Sequence, residues 1–195
     1  MKKYELTDKT KVIADVTLHR IRALIDIPEH NVKAGDLGGW IEAERNLSQK
    51  GAAWVADSAR VMDSARVTDT ALVMGSAWVT GSARVMGEAL VMDSARVTGK
   101  ARVMDSARVT GTALVTNSAD YITIGAIGSR NDTTTFYRGA DGKIYVSCGC
   151  FNGSIDDFTA KVKAVHAGTK HERTYLLAIE LAKAQIATAE EEDKC

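Results

Sequence analysis

Alanine and valine recur at fixed places in units of six residues over the middle of the chain. Between positions 53 and 118, alanine holds the first place of every unit, valine the third, and Asp, Gly or Asn the fifth. Two apolar residues separated by one other residue have the period of a strand, whereas the Gly-, Asp- and Ser-rich remainder has the composition of a turn. Three such units close a triangular coil of eighteen residues. The pattern therefore predicts a parallel β-helix with alanine and valine inside.

The period extends towards the amino-terminus with one interruption. Ile41 and Leu47 are six residues apart, but Leu47 and Val55 are eight apart, which predicts a two-residue insertion near 49–51. An open solenoid exposes strand edges at both ends, so each end needs a cap. We expect an amino-terminal β cap over 1–38, the β-helix over 39–120 and a separate unit over 121–195.

The six-residue period ends at Tyr121, and the remainder predicts a small α+β domain. Three stretches have strand composition: 121–124, 133–138 and 143–148. Ser154 is followed three residues later by Asp157, and Thr169 by Glu172, which is the spacing of a capping box. Each is followed by apolar residues at helical spacing. We therefore expect two carboxyl-terminal helices.

Three parts of the sequence resemble known families. The six-residue period resembles that of hexapeptide-repeat acyltransferases, and the resemblance implies an all-β left-handed parallel β-helix with a small α+β carboxyl-terminal domain. The segment AGDLGGWIEAERNLSQKGAAWV resembles the start of bacterial and phage left-handed β-helix proteins. The block 122–184, with IGSRNDTTTFYR and IYVSCGCFNGSIDDF, resembles a small domain at the carboxyl end of many phage-encoded proteins. Together these resemblances imply a phage or prophage accessory protein and name no reaction.

Charge and composition narrow the function classes. The chain has 25 Lys and Arg against 25 Asp and Glu, so its formal net charge is zero. A balanced chain has no bulk attraction for nucleic acid or anionic membrane, although a local basic patch stays open. No apolar run approaches the roughly 20 residues of a bilayer span. No signal peptide is recognisable, and the 3 cysteines do not indicate a disulfide framework. We expect a cytoplasmic protein.

The second place of each unit points outward, and residues eighteen apart share a face. One column carries Arg66, Arg84 and Arg102, and a third face carries Arg60, Trp78, Arg96 and Leu114. The arginine column is a candidate anion-binding strip, since guanidinium groups pair with phosphates and carboxylates. The alternative is that these arginines extend into solvent or pair with corner aspartates.

A second column is apolar and consists of Trp54, Leu72 and Leu90. Apolar surface exposed in this way predicts self-association, and we expect a homo-oligomer, with a trimer as first choice. The alternative is that the tail or the amino-terminal cap of the same chain covers the column.

Catalysis by the β-helix is disfavoured. The resemblance to hexapeptide transferases implies a histidine base on the coils, yet no histidine lies between positions 53 and 120. We expect no enzyme, no catalytic residue, no cofactor and no metal. The tail leaves a zinc site or a nucleophilic thiol open through four residues: Cys148, Cys150, His166 and His171.

The candidate ligand site lies in the tail. A turn offers donors and a cation suited to a phosphate, through Ser129, Arg130, Asn131 and Thr135. Two aromatic rings, Phe136 and Phe151, could stack on a base. The alternative is an ordinary hairpin turn whose aromatic side chains face the helices.

The hypothesis that follows is a non-enzymatic phage accessory protein that sequesters a small anionic ligand in pockets of a homo-oligomer. By analogy of design with phage sponges, the ligand would be a nucleotide-type immune signal. A module that engages a host or virion protein is the first alternative. A hexapeptide-type transferase is the second, and is disfavoured.

Overall fold

A computed structural model describes residues 1–186 and shows a β-solenoid of about four turns between two caps. Its eleven short strands start every six residues: β4 (Trp54–Val55), β5 (Arg60–Val61), β6 (Arg66–Val67), β7 (Leu72–Val73), β8 (Trp78–Val79), β9 (Arg84–Val85), β10 (Leu90–Val91), β11 (Arg96–Val97), β12 (Arg102–Val103), β13 (Arg108–Val109) and β14 (Leu114–Val115). Strands eighteen residues apart pair in parallel, for example Leu72 with Leu90. Every alanine at the first place and every valine at the third place of the eleven units is at most 1% exposed. The predicted parallel solenoid and its interior are confirmed.

The corners depend on the fifth place of each unit. In ten units this residue is Asp or Gly with a positive φ, between 51° and 68°, a conformation that glycine adopts freely and Asp tolerates. The aspartates also join neighbouring coils, because the carboxylate of Asp57 accepts the Gly75 N–H at 3.0 Å. Asp63 and Asp93 accept a glycine N–H one coil later in the same way.

The amino-terminal cap is a hairpin that extends one face of the solenoid. Its strands are β1 (Tyr4–Ile13) and β2 (Val16–Ala23), followed by β3 (Leu37–Ile41). Strand β3 pairs antiparallel with β2 and parallel with β5, so one seven-stranded sheet runs in the order β1-β2-β3-β5-β8-β11-β14. Ile41 pairs with Val61 and Leu47 with Val67, a separation of twenty residues instead of eighteen. The predicted two-residue insertion is confirmed.

Buried polar side chains occupy the open edge of the first coil. The Lys3 Nζ donates to the Ala53 carbonyl at 2.6 Å, and the Tyr4 hydroxyl donates to the Leu47 carbonyl at 2.7 Å. The Asn46 amide donates to the Ala65 carbonyl at 2.9 Å. Since a buried carbonyl without a donor is costly, these contacts stabilise the edge that has no preceding coil.

The carboxyl-terminal unit is an antiparallel sheet of four strands followed by two helices. Its elements are β15 (Tyr121–Ile127), β16 (Asp132–Arg138), β17 (Ile144–Cys148), β18 (Phe151–Ser154), α1 (Ile155–His166) and α2 (Lys170–Gln185). Ser154 and Thr169 are the N-caps of the two helices, each accepting the backbone N–H three residues on. Both predicted helix starts are confirmed. The sequence did not predict β18, because FNGS has the composition of a turn.

Strand β16 separates the last coil from the two helices. On one face, Thr135 Oγ1 accepts the Arg108 N–H at 3.0 Å, and Tyr137 joins the solenoid core. On the other face, Phe136 packs edge-on against Phe158 of α1, with ring centroids 6.2 Å apart. The sheet is therefore the carboxyl-terminal cap of the solenoid and the floor for the helices.

Candidate functional site

A pocket lies between two hairpin turns and the helical pair. Its volume is about 120 Å³. The turn between β15 and β16 contributes Arg130, and the turn between β17 and β18 leads into Phe151. The helices contribute Lys161 and His166 from α1 and Tyr175 from α2. No residue of the described chain that lines this pocket is acidic, and its wall is aromatic, aliphatic and cationic, with two cysteine thiols.

The β15–β16 turn is fastened to α2 through one tyrosine. Gly128, at a φ of +75°, lies so close to α2 that a Cβ there would be 1.8 Å from the Tyr175 hydroxyl oxygen. Ser129 hydrogen-bonds this hydroxyl, and the Cys148 thiol donates to it over 3.9 Å. Burial, and then the neighbouring thiol of Cys148, raise the pKa of Tyr175. The hydroxyl is therefore a protonated structural contact that fixes the turn before Arg130.

The aromatic wall is continuous from β18 to α2. Phe151 lies 5.1 Å from Phe158, and Phe158 lies 5.4 Å from Tyr175, measured between ring centroids. The His166 ring follows at 5.6 Å from Tyr175. Lys161 Nζ lies 5.3 Å from the centre of the Phe151 ring, which is a cation–π distance. A planar ring would meet both aromatic surface and a positive charge here.

Arg130 supplies the second permanent cation of the pocket. A Cβ built on Gly149 would be 2.8 Å from Arg130 Nη1, so the side chain extends across the β17–β18 turn. Gly149 itself has a φ of +58°, the left-handed region in which glycine is favoured. Because a side chain at this position would meet the guanidinium group, the glycine leaves room for Arg130 in the pocket.

Only some of the residues that the sequence predicted for this site line the pocket. Arg130 and Phe151 line the same pocket, whereas Ser129 and Asn131 lie in the exposed turn next to it. Two predictions are corrected by burial. Thr135 is 1% exposed and bonded to the last coil, and Phe136 is fully buried between sheet and helices. Neither side chain lines the pocket.

Sequence reasoning missed several residues of the pocket, among them Phe158, Lys161 and Tyr175. Their signal was present in part, since the helical spacing after Ser154 predicts an inward-facing Phe158. Lys161 stands three residues later, and residues three apart share one side of a helix. Tyr175 comes from a second helix, and only the packing of the two helices brings it to the pocket.

The described cysteine and histidine side chains of the tail are not grouped as metal ligands. Cys148 is half-buried and accepts a hydrogen bond from Thr134 at 3.2 Å, while Cys150 is exposed. The rings of His166 and His171 are 5.9 Å apart. Within residues 1–186, no three His, Cys, Asp or Glu side chains are close enough to hold a metal ion. Cys148, Cys150 and His166 line the same pocket, but they do not form a group of metal-ligand geometry.

The arginine column has the predicted register. Arg66 pairs with Arg84, and Arg84 with Arg102, on adjacent strands about 4.8 Å apart. In the part of the chain that the structure describes, none of these three side chains forms an ion pair or a hydrogen bond. The corner carboxylates of Asp63 and Asp69 accept glycine N–H groups instead. The three arginine side chains are therefore exposed, and anion binding by the column stays a prediction.

The apolar column is largely covered within the chain. Trp54 is only 2% exposed and packs edge-on against Tyr4 of the amino-terminal cap, with centroids 6.5 Å apart. The expectation that Trp54 is exposed for an oligomer contact is therefore wrong, because the cap folds over it. Leu72 and Leu90 are half-buried on the same face. Self-association through them stays a prediction.

No family model and no curated protein match the chain. Neither helix of the described region, 1–186, is both long and apolar enough to cross a bilayer.

Proposed function

We propose that this protein binds a small anionic ligand with an aromatic ring, and that the pocket between the two hairpin turns and the helices is the binding site. The observation that carries the proposal is the joint position of Arg130 and Lys161 beside Phe151, in a pocket without an acidic lining residue. A guanidinium group binds a phosphate through two parallel hydrogen bonds. The adjoining aromatic wall offers a stacking surface for a ring.

The size of the pocket restricts the mode of binding. Sites that enclose a whole ligand usually have volumes of roughly 300–1,000 Å³, and this one has about 120 Å³. It is therefore matched to one ring or one phosphate group, with the rest of the ligand at the rim near Arg130. A nucleotide has both parts in one small molecule, so it remains the ligand class that we propose.

The wider biological proposal rests on the sequence resemblances. According to this proposal, the solenoid is a left-handed parallel β-helix of the hexapeptide type, and the protein is a phage or prophage accessory protein of the host cytoplasm. It would sequester a nucleotide-type immune signal as a homo-oligomer, with a trimer as first choice. Binding of this kind needs no turnover residue, which agrees with a solenoid that carries no histidine.

Calorimetric titration with cyclic and ADP-ribose-type nucleotides tests the ligand proposal. A charge-assisted hydrogen bond contributes about 1.5–3 kcal/mol, so Arg130→Ala should weaken binding by about 10- to 150-fold. Lys161→Ala should weaken it as well. Lys163→Ala is the matched control, because Lys163 is an exposed lysine of the same helix outside the pocket. Absence of binding by all these nucleotides, or unchanged affinity in Arg130→Ala, would contradict the proposal.

A second candidate function is a protein-interaction module. Leu177 and Leu181, one turn apart on α2, are 63% and 51% exposed, and Val165 at the end of α1 is 64% exposed. A native mass spectrum of freshly purified protein separates the two candidates. A retained ligand supports the binding protein, and a stoichiometric protein partner without ligand supports the module.

A further inference from the structure

One face of the seven-stranded sheet carries a row in which cations and tryptophans are interleaved. In strand order, the row consists of Lys11 on β1, Arg20 on β2, Trp40 on β3, Arg60 on β5, Trp78 on β8 and Arg96 on β11. We call it the cation–tryptophan row. With adjacent strands about 4.8 Å apart, the row is about 24 Å long. It lies outside the carboxyl-terminal pocket.

The tryptophans hold the cations in place. Arg60 Cζ and Arg96 Cζ lie 4.9 and 5.5 Å from the centre of the Trp78 ring, and they come from the strands on its two sides. Lys11 Nζ and Arg20 Cζ lie 4.2 and 5.3 Å from the Trp40 ring. A stacked guanidinium plane loses less conformational entropy when it binds an anion, because its orientation is already restricted.

The positive charges of the row have no carboxylate partner among the described residues. Among residues 1–186, no side-chain carboxylate forms an ion pair or hydrogen bond with Lys11, Arg20, Arg60 or Arg96. The flanking carboxylates of Asp57 and Asp93 accept the N–H groups of Gly75 and Gly111. Desolvation, with repulsion from Arg60 and Arg20, lowers the pKa of Lys11 to about 8. An anion in contact with the row would relieve this repulsion.

We propose that the cation–tryptophan row binds single-stranded nucleic acid through its phosphates, along the solenoid axis. Cations interleaved with aromatic residues are typical of surfaces that bind single strands without sequence preference. Three of the four cations are arginines, whose planar fork matches a phosphate. The row contains no acidic group that would fix the register of a folded protein partner, which favours a flexible polyanion over an acidic protein.

The geometry also predicts weak sequence preference. Arg20, Arg60 and Arg96 are separated by two strands each, or about 9.6 Å, so they contact phosphates at intervals along an extended strand. Cations from both neighbouring strands stack on Trp78, which leaves its ring less available to bases. Phosphate contacts position a strand without reading its sequence.

Fluorescence anisotropy with a labelled oligo-dT of about fifteen nucleotides tests the proposal, since such a strand covers a typical site. Each phosphate contact with a single strand contributes about −0.7 to the slope of log K against log salt concentration, so four cations predict a slope near −3. The double variant Arg60→Gln, Arg96→Gln should reduce the steepness of that slope by about 1.4. It should also weaken binding at 50 mM salt by about tenfold or more.

Two further variants keep the test falsifiable. Arg108→Gln is the matched control, because Arg108 is an exposed arginine at the same place of its unit on another face of the solenoid. It should leave affinity and slope unchanged. Arg96→Lys retains the charge and should retain the slope even if the double variant folds poorly.

Three results would overturn the proposal. The first is no anisotropy change at low salt, and the second is an equal slope in the wild type and a folded double variant. The third is tighter binding of a poly-glutamate peptide than of oligo-dT, which would assign the row to an acidic protein partner.

Discussion

Replacing Thr135 with valine should destabilise the protein while leaving the shape of its interior unchanged. The Thr135 hydroxyl accepts the Arg108 N–H at 3.0 Å on the last coil, where no further coil can supply a carbonyl. Valine has nearly the same shape but no acceptor. A buried N–H left without a partner costs about 1–3 kcal/mol. For a chain of this size, that cost lowers the melting temperature by roughly 2–12 °C.

Urea unfolding followed by circular dichroism measures the loss, and hydrogen exchange of the Arg108 amide locates it. Thr133→Val is the matched control, because Thr133 lies two residues earlier on β16 and its side chain makes no hydrogen bond within residues 1–186. Equal stability of both variants, with the Arg108 amide exchanging at the same rate in each, would refute this role of Thr135. Loss of ligand binding without loss of stability would instead restore Thr135 as the ligand residue that the sequence predicted.

Two further substitutions test the caps and the pocket. Burial lowers the pKa of Lys3 from 10.5 to about 8; the unfolded chain therefore binds more protons than the folded chain between these values, and stability rises with pH through this window. Lys3→Met should reduce the rise in unfolding free energy between pH 8 and 9.5, and an undiminished rise would contradict the assignment. Gly128→Ala places a Cβ against the Tyr175 hydroxyl at a positive φ, and should cost at least about 1–3 kcal/mol. Gly125→Ala, which meets no atom within 4 Å, should cost clearly less in the same thermal unfolding experiment.

The periodic part of the fold was predictable because each unit repeats the same physical requirement. Alanine and valine must point into the same interior at every coil, which fixes the length of a coil at eighteen residues. Residues eighteen apart are therefore neighbours on the outer surface. The insertion near 49–51 was visible for the same reason. When two inward-facing positions are eight residues apart instead of six, the two additional residues must lie at a corner of the coil.

The caps were expected, but the contacts that close them were not predictable, because these depend on single polar groups without a period. Lys3 and Thr135 meet backbone groups that lack a partner only because the solenoid ends there. Trp54 shows that a contact within a cap can bury a residue that the six-residue period places on the outer surface. Its place in the unit points outward, yet Tyr4 from the cap covers it, and no periodic rule contains that contact.

The candidate pocket was predictable only in its local part. Arg130 was identified from its turn, and Phe151 as a nearby aromatic residue. Lys161 and Tyr175 belong to helices later in the sequence, and only the packing of these helices brings them to the pocket. The errors at Thr135 and Phe136 have one cause. Side chains alternate between the two faces of β16, so Thr135 faces the solenoid and Phe136 faces the helices. Neither side chain therefore lines the pocket.

The two proposed sites differ in the partners that their geometry permits. The faces of a solenoid are flat, and each coil contacts only its neighbours, so outward groups form rows whose length grows with the number of coils. A row presents similar side chains on successive strands. An extended polymer can contact several of them at once, whereas a small ligand cannot. A small ligand requires walls that converge, and these arise where the repeat stops and the turns of the four-stranded sheet meet the helical pair. Variants in the cation–tryptophan row should therefore change the salt dependence of strand binding, and variants at Arg130 should change the affinity for nucleotides.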